Sequence, residues 1–485
     1  MNDTPSMKKN FIYNTIYQII LVLMPFITTP YLSRILGSKM IGIQSYTESI
    51  QAYFLLLANL GTSVYGTREI AQHRNDVHER SQLFWEIELL SIFTSTISLI
   101  GWIFLIIMNS RYQVYYIAMI PHFFATMFDI SWFYRGLERF RLPVTQSIFF
   151  IILEFIAMIL FVKTQSDLLT YITILSTSKL FTSLSLWKYL QQYTIKINFR
   201  TLKFEHHFKQ TFCYFIPTIA TSVYTILDRT LLGLFTEDSS QNGYYFQSEK
   251  IINVAKSLSS TAINSVVGVR ISYLFSKNKI AEIQQRINHS LNYILFMSIG
   301  SACGITVIAH NFVPLFFGED FIKVEYLLYI LCPIIIITGI SNCLGSHYYT
   351  PSGRRIQSTI YLIVGSVINL VLNLILIPSF DAFGAAAASV FAELIISILY
   401  ITNSNGYMTF QLLIQSGWKK LLAGIIMIIL VYPLGLKMIN INKLFLILLQ
   451  SILGIIVYLF ILLILKDNWI ILYTNKLFQK IRRIL

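Results

Sequence analysis

Asp228 and Arg229 stand side by side in the apolar stretch TFCYFIPTIATSVYTILDRTLLGLF, which matches the length of a bilayer span, roughly 20 residues. Each charge costs about 2.5–3.5 kcal/mol at the centre of hydrocarbon, so such residues turn toward a partner or a wet cavity and mark a route for ions or polar substrates. Their neighbours extend them into a stripe. Thr218, Ser222, Thr225 and Arg229 recur every three or four residues, which is one helix face, with Asp228 on its edge. A second stripe runs through Glu249, Asn253, Lys256, Ser260 and Asn264, with Lys250 beside it. Shorter ones pair Gln44 with Glu48 and Gln51, His122 with Thr126 and Asp129, Ser176 with Lys179 and Ser183, Ser366 with Asn369 and Asn373, and Ser389 with Glu393 and Ser397.

Neutral members of these stripes serve equally as glue between helices, where such hydrogen bonds contribute about 0.6 kcal/mol. The cations resist that reading. Glu249 neutralises only part of the charge of Lys250 and Lys256, and Lys179 has no acid within its own turn of helix. A cationic cavity is the reading that Lys256 and Lys250 favour, with Arg229 and Lys179 as further candidates for its lining. Asp228 and Arg229 also fit a structural or gating pair at the cavity's edge, since long side chains near a helix end snorkel. His122 and Glu154 read as buried polar contacts rather than proton relays.

These residues require membrane helices to hold them. With 55% hydrophobic and 12% charged residues and a mean hydropathy of +0.63, the 485-residue chain has too little polar surface for a soluble globule. The fold class expected is all-α and polytopic, with about fourteen spans. They start near Phe11, Ile41, Leu83, Tyr112, Val144, Leu168, Thr211, Tyr244, Ser290, Glu325, Gln357, Phe383, Leu421 and Lys443. The first span runs into SRILGSK without a small-residue cleavage site and is expected to be retained. Lysine and arginine crowd alternate loops, among them Arg135, Arg139, Arg141, Lys196, Lys277, Arg354, Lys419 and Lys420. The opposite loops hold only Arg34, Lys39, Arg111, Lys163, Lys323, Lys437 and Lys443. That bias puts both termini in the cytoplasm. The net charge of +14 is then a topology signal and an attraction to anionic lipid, not a nucleic-acid surface.

Cys213, Cys303, Cys332 and Cys343 fall in or at the ends of apolar spans and suggest neither a disulfide framework nor a metal site. No loop offers room for a soluble catalytic domain. The longest connectors, QQYTIKINFRTLKFEHHFK and SKNKIAEIQQRINHS, are weakly amphipathic surface segments.

An internal echo organises the spans. IGIQSYTESI from Ile41 aligns with NGYYFQSEKI from Asn242, and TQSIFFIILEFIAMILFV from Thr145 with IQSTIYLIVGSVINLVLNLILI from Ile356. Both pair a span with the sixth span after it, which predicts two parallel six-helix bundles with a cleft between them. The expected divisions are residues 1–208, residues 209–410, and residues 411–485 with two additional helices and a basic cytoplasmic tail. Pro25, Pro30, Pro121, Pro217 and Pro333 bend spans, as suits bundles that rock.

The run from Asn14 to Ala71, beginning NTIYQIILVLMPFITTPYLSRILGSKMIGIQSY, together with LDRTLLGLF at Leu227 and NGYYFQSEKI at Asn242, resembles the polysaccharide-repeat flippases of the multidrug/oligosaccharidyl-lipid/polysaccharide exporter superfamily. The resemblance implies alternating access and export of an undecaprenyl-diphosphate-linked oligosaccharide across a bacterial cytoplasmic membrane. It carries over Arg34, Gly37 and Gly42 in the first half and Asp228, Arg229, Gly233, Gly243 and Lys250 in the second. The match weakens after about Phe410. A cavity of lysine, arginine and hydroxyls suits a diphosphate whose lipid tail stays in the bilayer; Tyr224, Tyr244, Tyr245 and Phe246 are of the types that stack on sugars, but interfacial belt or packing roles are the favoured reading for them. No cofactor is expected. No phosphate-cradling loop is present, which leaves proton or sodium coupling, or downhill movement. Glu48, Asp129, Asp228, Glu249 and Glu393 with Asn369 and Asn373 are the coupling candidates. The expected partners are lipid, the lipid-linked oligosaccharide, and a polysaccharide polymerase with glycosyltransferases, around a monomeric transporter. A drug or cation antiporter of the same superfamily calls for an acidic or aromatic cavity. A membrane glycan polymerase calls for a large external loop.

Overall fold

The computed structural model describes residues 7–198, 202–203, 205–438 and 441–472, and among them it is helical with no strand. The chain divides into two compact units, Met1–Gly233 and Leu234–Leu485.

The first unit opens on α1 (Met7–Asn59), whose 53 residues cover two spans. The link SRILGSK is not an irregular loop. The helix passes from one span to the next through Gly37 alone, at φ 71° and ψ 173°, a conformation that costs glycine nothing and an L-residue a great deal. The short α2 (Thr62–Gln72) precedes α3 (Val77–Met108). Asp76 caps α3 by accepting from the Glu79 and His78 backbone N–H groups at 3.0 and 2.8 Å. Those two bonds hold its carboxyl below the usual carboxylate range. The cap is therefore complete above the ordinary carboxylate pKa and is lost as pH falls through the depressed value.

The fourth expected span is broken into α4 (Gln113–Ala118) and α5 (Ile120–Met127). Pro121 lacks the N–H that would continue the ladder, and side chains take up carbonyls at the break: Trp102 Nε1 donates to Tyr116 O and Gln51 Nε2 to Met119 O, both at 3.0 Å. Such repair is required where no water reaches the backbone. Then follow α6 (Ser131–Gly136), α7 (Arg141–Phe161), α8 (Leu168–Trp187) and α9 (Glu205–Phe235). The connector between α8 and α9 is stitched down rather than free on the surface. Arg80 holds Tyr193 O at 3.0 and 2.8 Å, and Ser81 Oγ accepts from Ile195 N at 3.1 Å.

The second unit contains α10 (Ser240–Ser276), α11 (Ile280–Phe316), α12 (Lys323–Leu344), α13 (Arg355–Thr402), α14 (Phe410–Lys437) and α15 (Lys443–Ile464). The connector SKNKIAEIQQRINHS is largely the start of α11. As in α1, two spans share α13, kinked at Asp381 (φ 49°, ψ −130°). The last two helices are integral to this unit, since α14 packs on α11 and α15 on both. Gln450 of α15 ties them by donating to Val307 O at 3.1 Å and accepting from Asn311 Nδ2 at 3.2 Å.

Two spans each from α1 and α13, one from α4 with α5, and one each from α3, α7, α8, α9, α10, α11, α12, α14 and α15 give the fourteen expected. Among the described residues, eight helices are long and apolar enough to cross a membrane. The long helices outside that set are α8, α9 and α10. They are the ones that carry Lys179, Arg229 and Lys256. All four cysteines are free thiols, and three are buried.

Candidate functional site

In the first unit the structure gathers residues that lie far apart in sequence. Lys179 on α8 is exposed, and it acts electrostatically on both Glu154 of α7 and His122 of α5. The acid that Lys179 lacks on its own helix is thus supplied by the neighbouring one. Tyr171, about two turns back on α8, lies within reach of the charges of Glu154 and Glu48. Glu48 in turn accepts from Gln44 Nε2 at 2.7 Å. Four helices, α1, α5, α7 and α8, thereby bring an ammonium, an imidazole and two carboxyls into one electrostatic neighbourhood. An accessible lysine set among acids holds an anion as a point charge and releases it again, without the fixed fork of arginine.

Asp228 and Arg229 sit late in α9, the acid buried and the guanidinium half-buried, and both charges reach Tyr53 of α1. The adjacent Thr230 donates to Ser49 Oγ at 3.0 Å. One turn on, Gly233 lies so close to Tyr46 that a Cβ there would fall 1.9 Å from Cδ2 of the ring. The LDRTLLG motif is therefore a docking seam between α9 and α1, and its glycine is needed because the ring stem has nowhere to go. Gly233→Val is expected to destabilise the protein by about 1–3 kcal/mol through overpacking, read as a lower melting temperature in detergent; an unchanged value would remove the seam.

In the second unit, Lys250 lies 4.2 Å from the ring centre of Phe246, one turn back on α10, a cation–π contact. Glu249 and Lys256 are half-buried on the same helix. Asn369 and Asn373 are fully buried in α13. Asn373 donates to Asn369 Oδ1 at 3.0 Å, Asn369 reaches Ser389 Oγ at 3.5 Å, and Ser389 pairs with the Tyr245 hydroxyl at 3.2 Å. That chain cross-links α10 and the two halves of α13, so Tyr245 is a packing residue rather than an open stacking platform. Glu393 lies near Tyr400 on α13. Asp129 accepts from Ser131 N at 2.9 Å in the turn that enters α6. Arg34 is exposed just before the α1 kink. The side chains of Pro217, Thr218, Tyr224, Ser260 and Asn264 lie outside the described residues.

Three buried polar groups escaped the sequence reading. His207 of α9 pairs with Glu86 of α3 at 2.8 Å and shares a 2.6 Å hydrogen bond with Tyr65 of α2. Lys420, assigned from sequence to a loop, lies inside α14 with no exposed surface. Glu88 of α3 is also fully buried, and neither carboxyl oxygen finds a hydrogen-bond partner among the described residues. The one-turn polar pattern Glu88, Ser91, Ser95 and Ser98 on α3 was the signal for Glu88. Replacing an unsatisfied buried polar group by an apolar one of similar size relieves about 1–3 kcal/mol. Glu88→Met is accordingly expected to melt higher in detergent, and a lower melting temperature would reveal a partner that the structure does not hold. Among the described residues no group of His, Cys, Asp and Glu is arranged to hold a metal ion.

The profile of a family described as polysaccharide biosynthesis protein matches residues 7–274. A protein of Escherichia coli strain K12 assigned as an O-antigen transporter is 22% identical over 410 residues, 82% of this chain and 98% of its own. A Haloferax volcanii protein assigned as a low-salt glycan biosynthesis flippase is 25% identical over 206 residues, 42% of this chain and 43% of its own. Among solved structures, the lipid II flippase MurJ in an inward closed conformation superimposes with a TM-score of 0.75 at 16% identity, over 95% of this chain and all of that one. An inward-facing multidrug resistance transporter of the MATE family, MOP superfamily, gives a TM-score of 0.66 at 12% identity, over 82% of this chain and 97% of that one.

Proposed function

Because the chain belongs to the polysaccharide biosynthesis protein family and has the fold of the MOP exporter superfamily, we propose that it is a flippase for lipid-linked oligosaccharides. The substrate of this reading is an undecaprenyl-diphosphate-linked repeat unit, moved from the inner to the outer leaflet of a bacterial cytoplasmic membrane by alternating access. Both termini are then cytoplasmic, and the product feeds a polymerase of a surface polysaccharide. The observation that carries the proposal is the placing of Lys179, Arg229, Lys250 and Lys256 on the less apolar long helices of a multi-pass protein. A diphosphate cannot cross hydrocarbon unaided, and lysines replace its hydration without holding it permanently.

Glu48, Asp129, Asp228, Glu249 and Glu393 are the groups proposed to couple movement to a proton or sodium gradient, with Asn369 and Asn373 as a rigid cross-link beside them. Asp228 and Arg229 act in this reading as a gating pair, seated on Tyr53 at the α1–α9 seam.

The test is leaflet transfer of a fluorescent lipid-diphosphate oligosaccharide in reconstituted vesicles, with proton and sodium gradients imposed separately. Transfer above empty vesicles is expected, and it should fall at least tenfold in Lys256→Ala with folded protein still in the membrane. Absence of transfer under every gradient sinks the proposal. Uptake of a cationic dye in its place would favour the antiporter.

A further inference from the structure

A cavity of about 650 Å³ in the second unit is lined by none of the residues proposed above for transport. It opens at the start of α11 and α14 and against the turn that follows α15, and that volume falls within the ordinary range of small-ligand sites. Its walls are polar: Asn288 and Asn292 from α11, Gln415 and Ser416 from α14, and Asn468 beyond α15, with the indole of Trp469 on one side.

Charge accounting in the cavity is one-sided. Both acids that line it already have a cation. Glu282 is paired with Lys279 at 2.6 Å, and Asp467 with Lys420 at 3.0 Å. Arg286, one turn on from Glu282 and acting on the same carboxylate, faces the space together with Lys419 and His289, so cations outnumber the acids. The floor is built rather than incidental. The Lys420 ammonium beneath it is fully buried and bonded to Asn292 Oδ1 at 3.0 Å and to Ser416 O at 2.7 Å, which fixes two lining residues from α11 and α14 against each other. Lys419 is held by donating to Lys466 O at 2.9 Å, so its charge is set beside the opening.

We propose that this cavity binds a phosphate-bearing anion. Arg286 supplies the planar fork that matches two phosphate oxygens, Lys419 a point charge, and the amides of Asn288, Gln415 and Asn468 the remaining donors. Two sources share that chemistry. One is the headgroup of an anionic phospholipid, because the apolar Ile414, Trp418, Leu463 and Ile464 are exposed on the same ends of α14 and α15 and would border its chains. The other is a free phosphate compound.

The test uses the full-length protein in a neutral detergent, with thermal unfolding as the readout, since a ligand that binds only the folded state raises the melting temperature by mass action. Inorganic phosphate is titrated against chloride at equal ionic strength, and dihexanoyl phosphatidylglycerol against dihexanoyl glycerol. A saturable rise with phosphatidylglycerol alone supports the site with a lipid headgroup as its source; a rise with inorganic phosphate as well supports it with free phosphate. Arg286→Gln and Lys419→Gln should each weaken the apparent affinity at least tenfold. The proposal is overturned if neither probe exceeds its control, or if both variants respond at wild-type concentrations. Because the readout is binding, this result is independent of whether oligosaccharide is transported.

Discussion

Lys420→Ala is expected to lower the stability of the protein by about 3–5 kcal/mol, the cost of breaking a buried ion pair by removing one partner. Lys420 has no exposed surface, and its ammonium makes three hydrogen bonds, to Asn292 Oδ1, Ser416 O and Asp467 Oδ2, at 3.0, 2.7 and 3.0 Å. Deleting it strands the Asp467 carboxylate, which is 4% exposed, with only the backbone N–H groups of Trp469 and Ile470 on its other oxygen. A loss of that size is a large part of the roughly 5–15 kcal/mol that holds an ordinary domain together. The double variant Lys420→Met/Asp467→Leu should recover most of the deficit, because both desolvation costs vanish together. It should still fall short by about 1 kcal/mol, since Asp467 also caps the turn that follows α15. Melting temperatures in detergent decide the matter. A single variant as stable as wild type, or a double variant no better than the single, would show that the pair carries no such weight.

The second large effect is expected at Lys179. Its ammonium is exposed on α8 while acting on Glu154 and His122 from two other helices, so replacing it should leave the fold intact and remove function. Lys179→Ala is expected to slow leaflet transfer at least tenfold, equivalent to about 1.4 kcal/mol, with an unchanged melting temperature. Glu154→Gln should also slow transfer, and the double variant should be no slower than the worse single one. Such non-additivity is the signature of groups that act as a unit. Wild-type transfer in Lys179→Ala, or strictly multiplicative losses in the double variant, would separate the two residues and remove the cluster from the mechanism.

Span number and placement were legible because hydropathy and helix length are properties of consecutive residues, and α7, α12 and α15 begin within a few positions of where the sequence put them. The kink at Gly37 was not. A glycine among charged residues reads as a loop, and only the backbone shows two helices meeting at that single kinked residue. Lys179 was legible as an anomaly, but its partners were not, because Glu154 and His122 come from helices whose register no single-chain pattern reports. Tyr245 fits the packing role favoured for it, but its partner was not legible, because its burial against Ser389 depends on the distant half of α13. Lys420 was hidden by its position next to Lys419. Two adjacent lysines at the edge of an apolar run look like a topology signal, but α14 begins eleven residues earlier than hydropathy suggests, so both lysines are helical, with Lys420 turned inward and Lys419 at the rim.

The Lys420–Asp467 pair also sets a timetable for synthesis. The two residues are 47 positions apart, so at a typical elongation rate about 2–10 s separate their appearance from the ribosome. During that interval the Lys420 ammonium has its Asn292 and Ser416 partners but no counter-charge yet made. The helix becomes a settled part of the bundle only after α15 has been threaded and the turn at Asp467 has closed over it.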